Sequence, residues 1–166
     1  PLLEWLRSEI IYYQKYSFVN HIRMLESQVF YPNSMLHHYL HMATKNYREY
    51  LKGPQVRIKK YFYVLRPILA CKWIEKYQVT PPISFNELVK EIIPEGELKL
   101  AISNLLERKL KGDELDLEPR IDVINEYVEV EMDHLQHYIK TLKVDTKDPT
   151  EELDKLFRST LQEVWK

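Results

Sequence analysis

The stretch from Gln55 to Gln78, QVRIKKYFYVLRPILACKWIEKYQ, constrains the fold most. It is apolar around most of its circumference at helical spacing, and such a helix is stable only when neighbours cover it on several sides. The chain therefore needs a central helix with other helices packed round it. Yet the same stretch carries Arg57, Lys59, Lys60 and Arg66. Cations on so apolar an element must snorkel outward, pair with carboxylates or face an anionic ligand. At the helical repeat, Lys59, Tyr63, Arg66 and Ala70 share one stripe, with donors arranged round an open centre at Ala70. The stripe predicts an anion-facing strip without saying which anion.

The preceding segment supplies the first neighbour. Ser34 to Lys52 reads as a helix with Leu36, Leu40, Ala43, Tyr47 and Tyr50 inward. His37, His41, Thr44 and Arg48 form a second stripe, with Lys45 and Lys52 beside it. Gly53-Pro54 stops that helix, so 34–52 and 55–78 are expected to pack as an antiparallel hairpin sharing one basic surface. Pro67, in the middle of the second helix, removes a backbone bond and is expected to bend it.

The remaining elements are also helical. Phe18 to Phe30 repeats apolar residues at helical period, and Ser84 with Glu87 makes a capping box for a short helix stopped by Pro94. Glu95–Lys111 and Pro119–Lys143 follow as amphipathic helices, and Asp148-Pro149-Thr150 opens a last one. Only three glycines occur in 166 residues, too few for the turns of a sheet-rich fold. The expected class is all-α: a single helical domain over 1–166, with about seven helices round the central hairpin and no strand.

Charge is unevenly spread. Residues 37–80 hold nine basic and two acidic side chains, a net of +7, whereas 81–166 hold twelve basic and twenty acidic, a net of −8. Either the two parts attract each other across an interface, or the basic part meets a phosphate-bearing partner.

Most chemistries find no purchase here. The lone Cys71 sits in the apolar helix, where thiols are inert, and it has no disulfide partner, so a reducing cytoplasm is the default location. His37, His38 and His41 have the spacing of paired metal ligands but no HExxH, and phosphate-contacting or solvated imidazoles are the better reading. His134 and His137, beside Glu131 and Asp133, read as a solvated face; Asp113, Glu114 and Asp116 read as an acidic loop without EF-hand spacing. No apolar run is long enough to span a membrane. What stands out is the interleaving of Tyr47, Tyr50, Tyr61, Phe62, Tyr63 and Trp73 with Arg48, Arg57, Lys59, Lys60 and Arg66. Most of these rings belong to a core, and the remainder are free to stack on bases while cations hold phosphate.

Leu2-Leu3-Glu4-Trp5-Leu6, His38-Tyr39-Leu40, Asn46-Tyr47-Arg48 and Lys59-Lys60-Tyr61-Phe62-Tyr63-Val64-Leu65-Arg66-Pro67 together resemble a bacterial family of nucleotidyltransferases. The likeness continues through Trp73-Ile74-Glu75, Pro81-Pro82 and Phe85-Asn86-Glu87-Leu88. That family belongs to the DNA-polymerase-β-like superfamily and is linked with RNA ligases in RNA repair. The resemblance implies a Gly-Ser pair and an Asp-x-Asp on an upstream α/β domain, where aspartates hold Mg²⁺ and Gly-Ser grips nucleotide phosphates. Neither motif occurs in this sequence. The resemblance therefore implies the C-terminal helical part of a Mg²⁺-dependent enzyme moving a nucleotidyl group from an NTP to an acceptor. Residues 1–17 are then expected to be the junction to an upstream catalytic domain, followed by basic helices over 18–80 and acidic helices over 81–166.

Within that expectation this part positions phosphates. Stripe geometry and charge select Lys59, Lys60, Tyr63 and Arg66, with His37, His41, Lys45 and Arg48 behind them. No catalytic or metal-binding residue is expected in this chain. The expected partners are the upstream domain, an NTP and an acceptor, for which an RNA end, a protein side chain and a small molecule all stay open. The alternative from another class is a helical nucleic-acid-binding or interaction module with no catalysis of its own.

Overall fold

The computed structural model describes residues 2–113, 116–143 and 148–166. Among them the chain forms α1 (Leu2–Trp5), α2 (Phe18–Met24), α3 (Glu26–Val29), α4 (Pro32–Tyr50), β1 (Gln55–Arg57), α5 (Lys60–Tyr77), α6 (Phe85–Ile92), α7 (Glu97–Lys111), β2 (Leu117–Pro119), α8 (Asp122–Thr141) and α9 (Thr150–Val164). The all-α expectation holds in class. The nine helices of the described residues exceed the expected seven because α1 and α3 are single turns of four residues each.

The central helix behaves as its apolar circumference demands. Tyr61, Val64, Leu65, Pro67, Ile68, Leu69, Ala70, Cys71 and Ile74 of α5 are all buried, covered by α4 on one side and by α6 and α8 on others. Burying a Leu or Ile side chain is worth about 1.5–3 kcal/mol, so α5 contributes more to the core than any peripheral helix. Burial pushes the Cys71 thiol well above its ordinary range, which keeps it protonated and inert.

Its start is where the sequence reading needs correction. Residues 55–57 are not helical: they form β1, antiparallel to β2, with Gln55 opposite Pro119, Val56 opposite Glu118 and Arg57 opposite Leu117. The Ile58 N–H donates to the Asp116 carbonyl, and the Arg120 N–H to the Pro54 carbonyl, extending the ladder at both ends. Val56 and Ile58 are buried while Gln55 and Arg57 are exposed, an alternation of period two that three residues are too short to announce. The same pairing delays α8 to Asp122, past Pro119. At α4, Pro32 occupies the first turn, two residues ahead of the expected Ser34, because its missing N–H costs nothing there. Across Pro67, α5 continues without a break in its helical assignment from Lys60 to Tyr77.

Two helix ends match their sequence signals. The Ser84 hydroxyl accepts the Glu87 N–H at 3.3 Å. Replacing Ser84 with Ala is expected to cost about 1 kcal/mol, read as a lower denaturation midpoint with unchanged slope. Gly112 ends α7 at φ 80°, a left-handed conformation that favours glycine.

Between α4, α5 and α8 lies a buried polar knot. Asn125, 2% exposed, accepts the Tyr61 hydroxyl at 2.5 Å and donates to the Leu51 carbonyl at 2.8 Å. The Tyr61 oxygen accepts the Ile121 N–H at 2.8 Å, and the Tyr47 hydroxyl donates to Glu129. These bonds fix the end of α4 and the start of α5 against α8. They thereby set the position of Lys59 at the mouth described next.

Candidate phosphate-binding cleft

A cleft of about 700 Å³ opens between α5 and the α7–β2 connection, lined by Met42, Lys59, Phe62, Tyr63, Arg66, Pro67, Lys109, Asp113 and Asp116. Three of the four leading sequence candidates, Lys59, Tyr63 and Arg66, meet there. Each arrives by a different device. Lys59 is the N-cap of α5, placed by the β1–β2 pairing just before it, and among the described residues its exposed ammonium has no ion-pair partner. Tyr63, one turn on, is 49% exposed and offers its ring. Arg66 follows on the same face and is held from behind: its Nη2 donates to Glu4 Oε1 at 3.1 Å. Glu4 is 6% exposed and also accepts the Tyr39 hydroxyl, so the guanidinium is anchored by a carboxylate that is itself anchored. Burial, reinforced by the bond to Glu4, raises the Tyr39 hydroxyl far above its ordinary range and keeps it a donor.

Lys60 is not in the cleft. Its Nζ lies 4.0 Å from the Tyr50 ring centroid and 4.9 Å from that of Tyr63, so its charge is spent on two aromatic faces and steadies the Tyr63 ring. His37, His41, Lys45 and Arg48 are exposed on α4 but do not line the cleft, to which α4 contributes Met42. Thr44, in the stripe of His37, His41 and Arg48, lies against Met132 of α8, which turns that stripe away from α7. The expected open centre at Ala70 is filled: Ala70 is fully buried, and the anion strip ends at Arg66.

Residues that the sequence reading did not select complete the wall. Lys109 of α7 lies with Nζ 4.6 Å from the Phe62 ring centroid, and Phe62 packs edge-on against Phe85. Arg108 grips Glu118 through two bonds, 3.0 and 2.5 Å, and its Nε lies 3.8 Å from Asp113. That fork ties the end of α7 to β2 and brings Lys109, Asp113 and Asp116 opposite α5. Glu114, expected in the same acidic loop, lies outside the described residues. Lys109 and Arg108 resemble ordinary last-turn cations favoured by the helix dipole, so only the β1–β2 pairing reveals their second use.

The uneven charge has a partly internal explanation. Lys72 bridges Glu75 at 2.7 Å and Glu131 at 3.1 Å, Lys76 meets Glu91 at 2.7 Å, and His134 meets Glu75 at 2.6 Å. Thus two of the nine cations of 37–80 are neutralised by the acidic half, 81–166, and Arg66 by Glu4. Among the described residues Lys59 keeps its charge free beside the cleft. Burial alone would raise the Glu75 carboxyl, but Lys72 and His134 outweigh it and hold it below its ordinary 4.5. A depressed carboxyl adds stability that is present above the unfolded value and is lost as pH falls through the lower folded value. Glu75→Gln is therefore expected to flatten the loss of melting temperature between about pH 5 and pH 3 relative to the parent, measured by thermal melts across that range.

Among the described residues no group of three or more His, Cys, Asp or Glu side chains could hold a metal ion. The carboxylates of the described residues do not form the Asp-x-Asp pair of the Mg²⁺ centre that the resemblance implies. No helix among the described residues is long and apolar enough to cross a membrane.

The cleft therefore brings Lys59, Arg66 and Lys109 together with the exposed Tyr63 ring and the carboxylates of Asp113 and Asp116. The family model described as "RNA repair pathway DNA polymerase beta family" matches residues 1–159. An uncharacterized protein of Bacillus subtilis (strain 168), YcgL, is 49% identical over 166 residues, covering 100% of this chain and 64% of that relative. The chain thus spans slightly less than two thirds of the relative it matches. No solved structure matches it.

Proposed function

This chain belongs to the RNA repair pathway DNA polymerase beta family, a nucleotidyltransferase-like family, and we propose that it is the helical part of a Mg²⁺-dependent nucleotidyltransferase. In this reading the cleft receives the phosphates of an NTP or of the acceptor. The bond-breaking centre, with its metal ligands, lies in a part of the parent protein outside this chain. The observation that carries the reading is the meeting of Lys59, Arg66 and Lys109 round the exposed Tyr63 ring in a cleft of about 700 Å³.

Phosphoryl and nucleotidyl transfer ask a protein mainly for positioning and charge neutralisation. Arg66 suits the positioning role, since its fork is held by Glu4 through one nitrogen and keeps its other donors for two phosphate oxygens. Lys59 and Lys109 act as point charges that steer a polyphosphate inward and balance it once bound. Tyr63, backed by Lys60, stacks on the base with a worth of about 1–3 kcal/mol. The absence of Gly-Ser and Asp-x-Asp from the sequence agrees with a catalytic centre supplied elsewhere.

The test compares this chain with a longer protein in which it is joined to its native upstream sequence. With radiolabelled NTPs and total RNA as acceptor, transfer is expected from the longer protein and not from this chain alone, while both bind NTP. Transfer by this chain alone, or NTP binding by neither protein, overturns the reading.

A further inference from the structure

A second groove, of about 510 Å³, lies at the other end of α5, where the residues after α1 and the α2–α3 pair meet the turn at Gln78–Thr80. Arg66 and Gln78 are twelve positions apart on α5 and its cap, roughly 18 Å at the helical rise, so this is a separate place from the cleft. Two arginines line it. Arg7 donates from Nε and Nη2 to Glu26 at 3.1 and 2.7 Å, and from Nη1 to the Thr80 carbonyl at 3.2 Å. Arg23 donates from Nε and Nη2 to the Leu6 carbonyl at 3.0 and 2.7 Å.

The charge does not close. Glu26 balances Arg7, whereas Arg23 faces only a carbonyl and has no carboxylate partner among the described residues. Among the described residues the groove keeps one net positive charge, and the Nη1 donors of Arg23 are unused. Thr80, also in its lining, is 1% exposed, and its hydroxyl is buried without a partner among the described residues, an unfavourable state for a polar group. Ser27 stands exposed on the same rim, and Phe30 and Val79 supply an apolar wall.

We propose that this groove is a second anion site that takes one phosphodiester of a single-stranded nucleic-acid backbone, with Arg23 as its principal contact. A monoanion matches the single uncompensated charge. A planar guanidinium already fixed through one edge presents its other edge to two phosphate oxygens. An apolar wall beside the cation accommodates the sugar or base that a strand carries and free phosphate lacks. The site goes beyond the cleft reading and does not depend on it.

The experiment measures binding of a fluorescein-labelled eight-nucleotide oligouridylate by anisotropy at several salt concentrations, using the whole chain and two variants. Arg23→Gln keeps a donor for the Leu6 carbonyl and removes the charge. Ser27→Glu leaves every bond of Arg23 in place and adds a carboxylate to the rim, so it reports even where Arg23→Gln unfolds. Each is expected to weaken binding about five- to tenfold, with Arg23→Gln lowering the slope of log affinity against log salt by about 0.7, the loss of one phosphate contact. ATP binding at the cleft should be unchanged in both. Oligouridylate affinity unaltered by Ser27→Glu overturns the site. So does equal competition by inorganic phosphate or by polyglutamate, which would mean free phosphate or unspecific charge in place of a strand. Failure of ATP to bind any version, with oligouridylate binding still sensitive to Ser27→Glu, sinks the cleft reading and leaves this site standing.

Discussion

Replacing Arg66 with Ala lowers stability by about 2–3 kcal/mol and weakens NTP binding by about tenfold or more, and adding Glu4→Gln restores the stability without restoring the binding. The two losses separate because Arg66 has two jobs. Behind the cleft it partners Glu4, whose side chain is 9% exposed while that of Arg66 is 30% exposed. Removing the cation leaves a carboxylate facing Tyr39 with no positive neighbour, the situation that makes breaking a buried pair expensive. The partial exposure of Arg66 keeps the cost below that of a fully enclosed pair. Glu4→Gln removes the stranded charge and can still accept the Tyr39 hydroxyl. In front, the guanidinium fork has no substitute, so affinity stays low in the double variant. Chemical denaturation and isothermal titration of the parent, Arg66→Ala and the double variant check both halves. Parallel recovery of stability and affinity would make Arg66 a purely structural residue.

Asn125→Ala is expected to cost about 3 kcal/mol, the largest single loss outside the apolar core. At 2% exposure the side chain has no water to replace its partners. Its removal strands the Leu51 carbonyl and takes the acceptor from the Tyr61 hydroxyl, whose oxygen also serves the Ile121 N–H. Burial, with the Glu129 bond adding, pushes the Tyr47 hydroxyl up to about 12, so it stays protonated, and its proton is committed to Glu129. Tyr61→Phe on its own should cost less, since Asn125 keeps the Leu51 carbonyl. The double variant should fall short of the sum, because both changes break the same bond. Urea denaturation followed by circular dichroism measures all three; a change within about 0.5 kcal/mol for Asn125→Ala contradicts the role given to the knot.

The parts of this fold legible in the sequence are those governed by local chemistry. The apolar circumference of α5 announced a core helix, Gly112 an α7 terminus and Ser84 a cap, because each signal lies within a few residues of its effect. The β1–β2 pair was illegible for the opposite reason. Gln55–Arg57 and Leu117–Pro119 are three residues each and about sixty positions apart, and neither carries a pattern longer than a chance alternation. That one omission moved the start of α5 by five residues and hid the approach of α7, and with it Lys109, Asp113 and Asp116.

The site divides along the same line. Lys59, Tyr63 and Arg66 were found because one helical stripe holds them. Lys60 was misplaced because spacing cannot tell a cation facing a cleft from one enclosed by Tyr50 and Tyr63. Ala70 looked open only because a small residue reads the same whether it faces solvent or a neighbouring helix; here it is fully buried. Glu4, the partner that holds Arg66, is sixty-two positions away and has no sequence signature at all.

The central claim is that Lys59 and Lys109, lining the cleft beside Tyr63, hold nucleotide phosphates. Its most direct measurement is ATP affinity of the parent-length protein against the Lys59→Gln, Lys109→Gln double variant, both on the surface and with no ion pair to break among the described residues. The account predicts about a tenfold or greater loss of affinity, steepest at low salt, with the melting temperature unchanged. Equal affinity in the two proteins at low salt would contradict it.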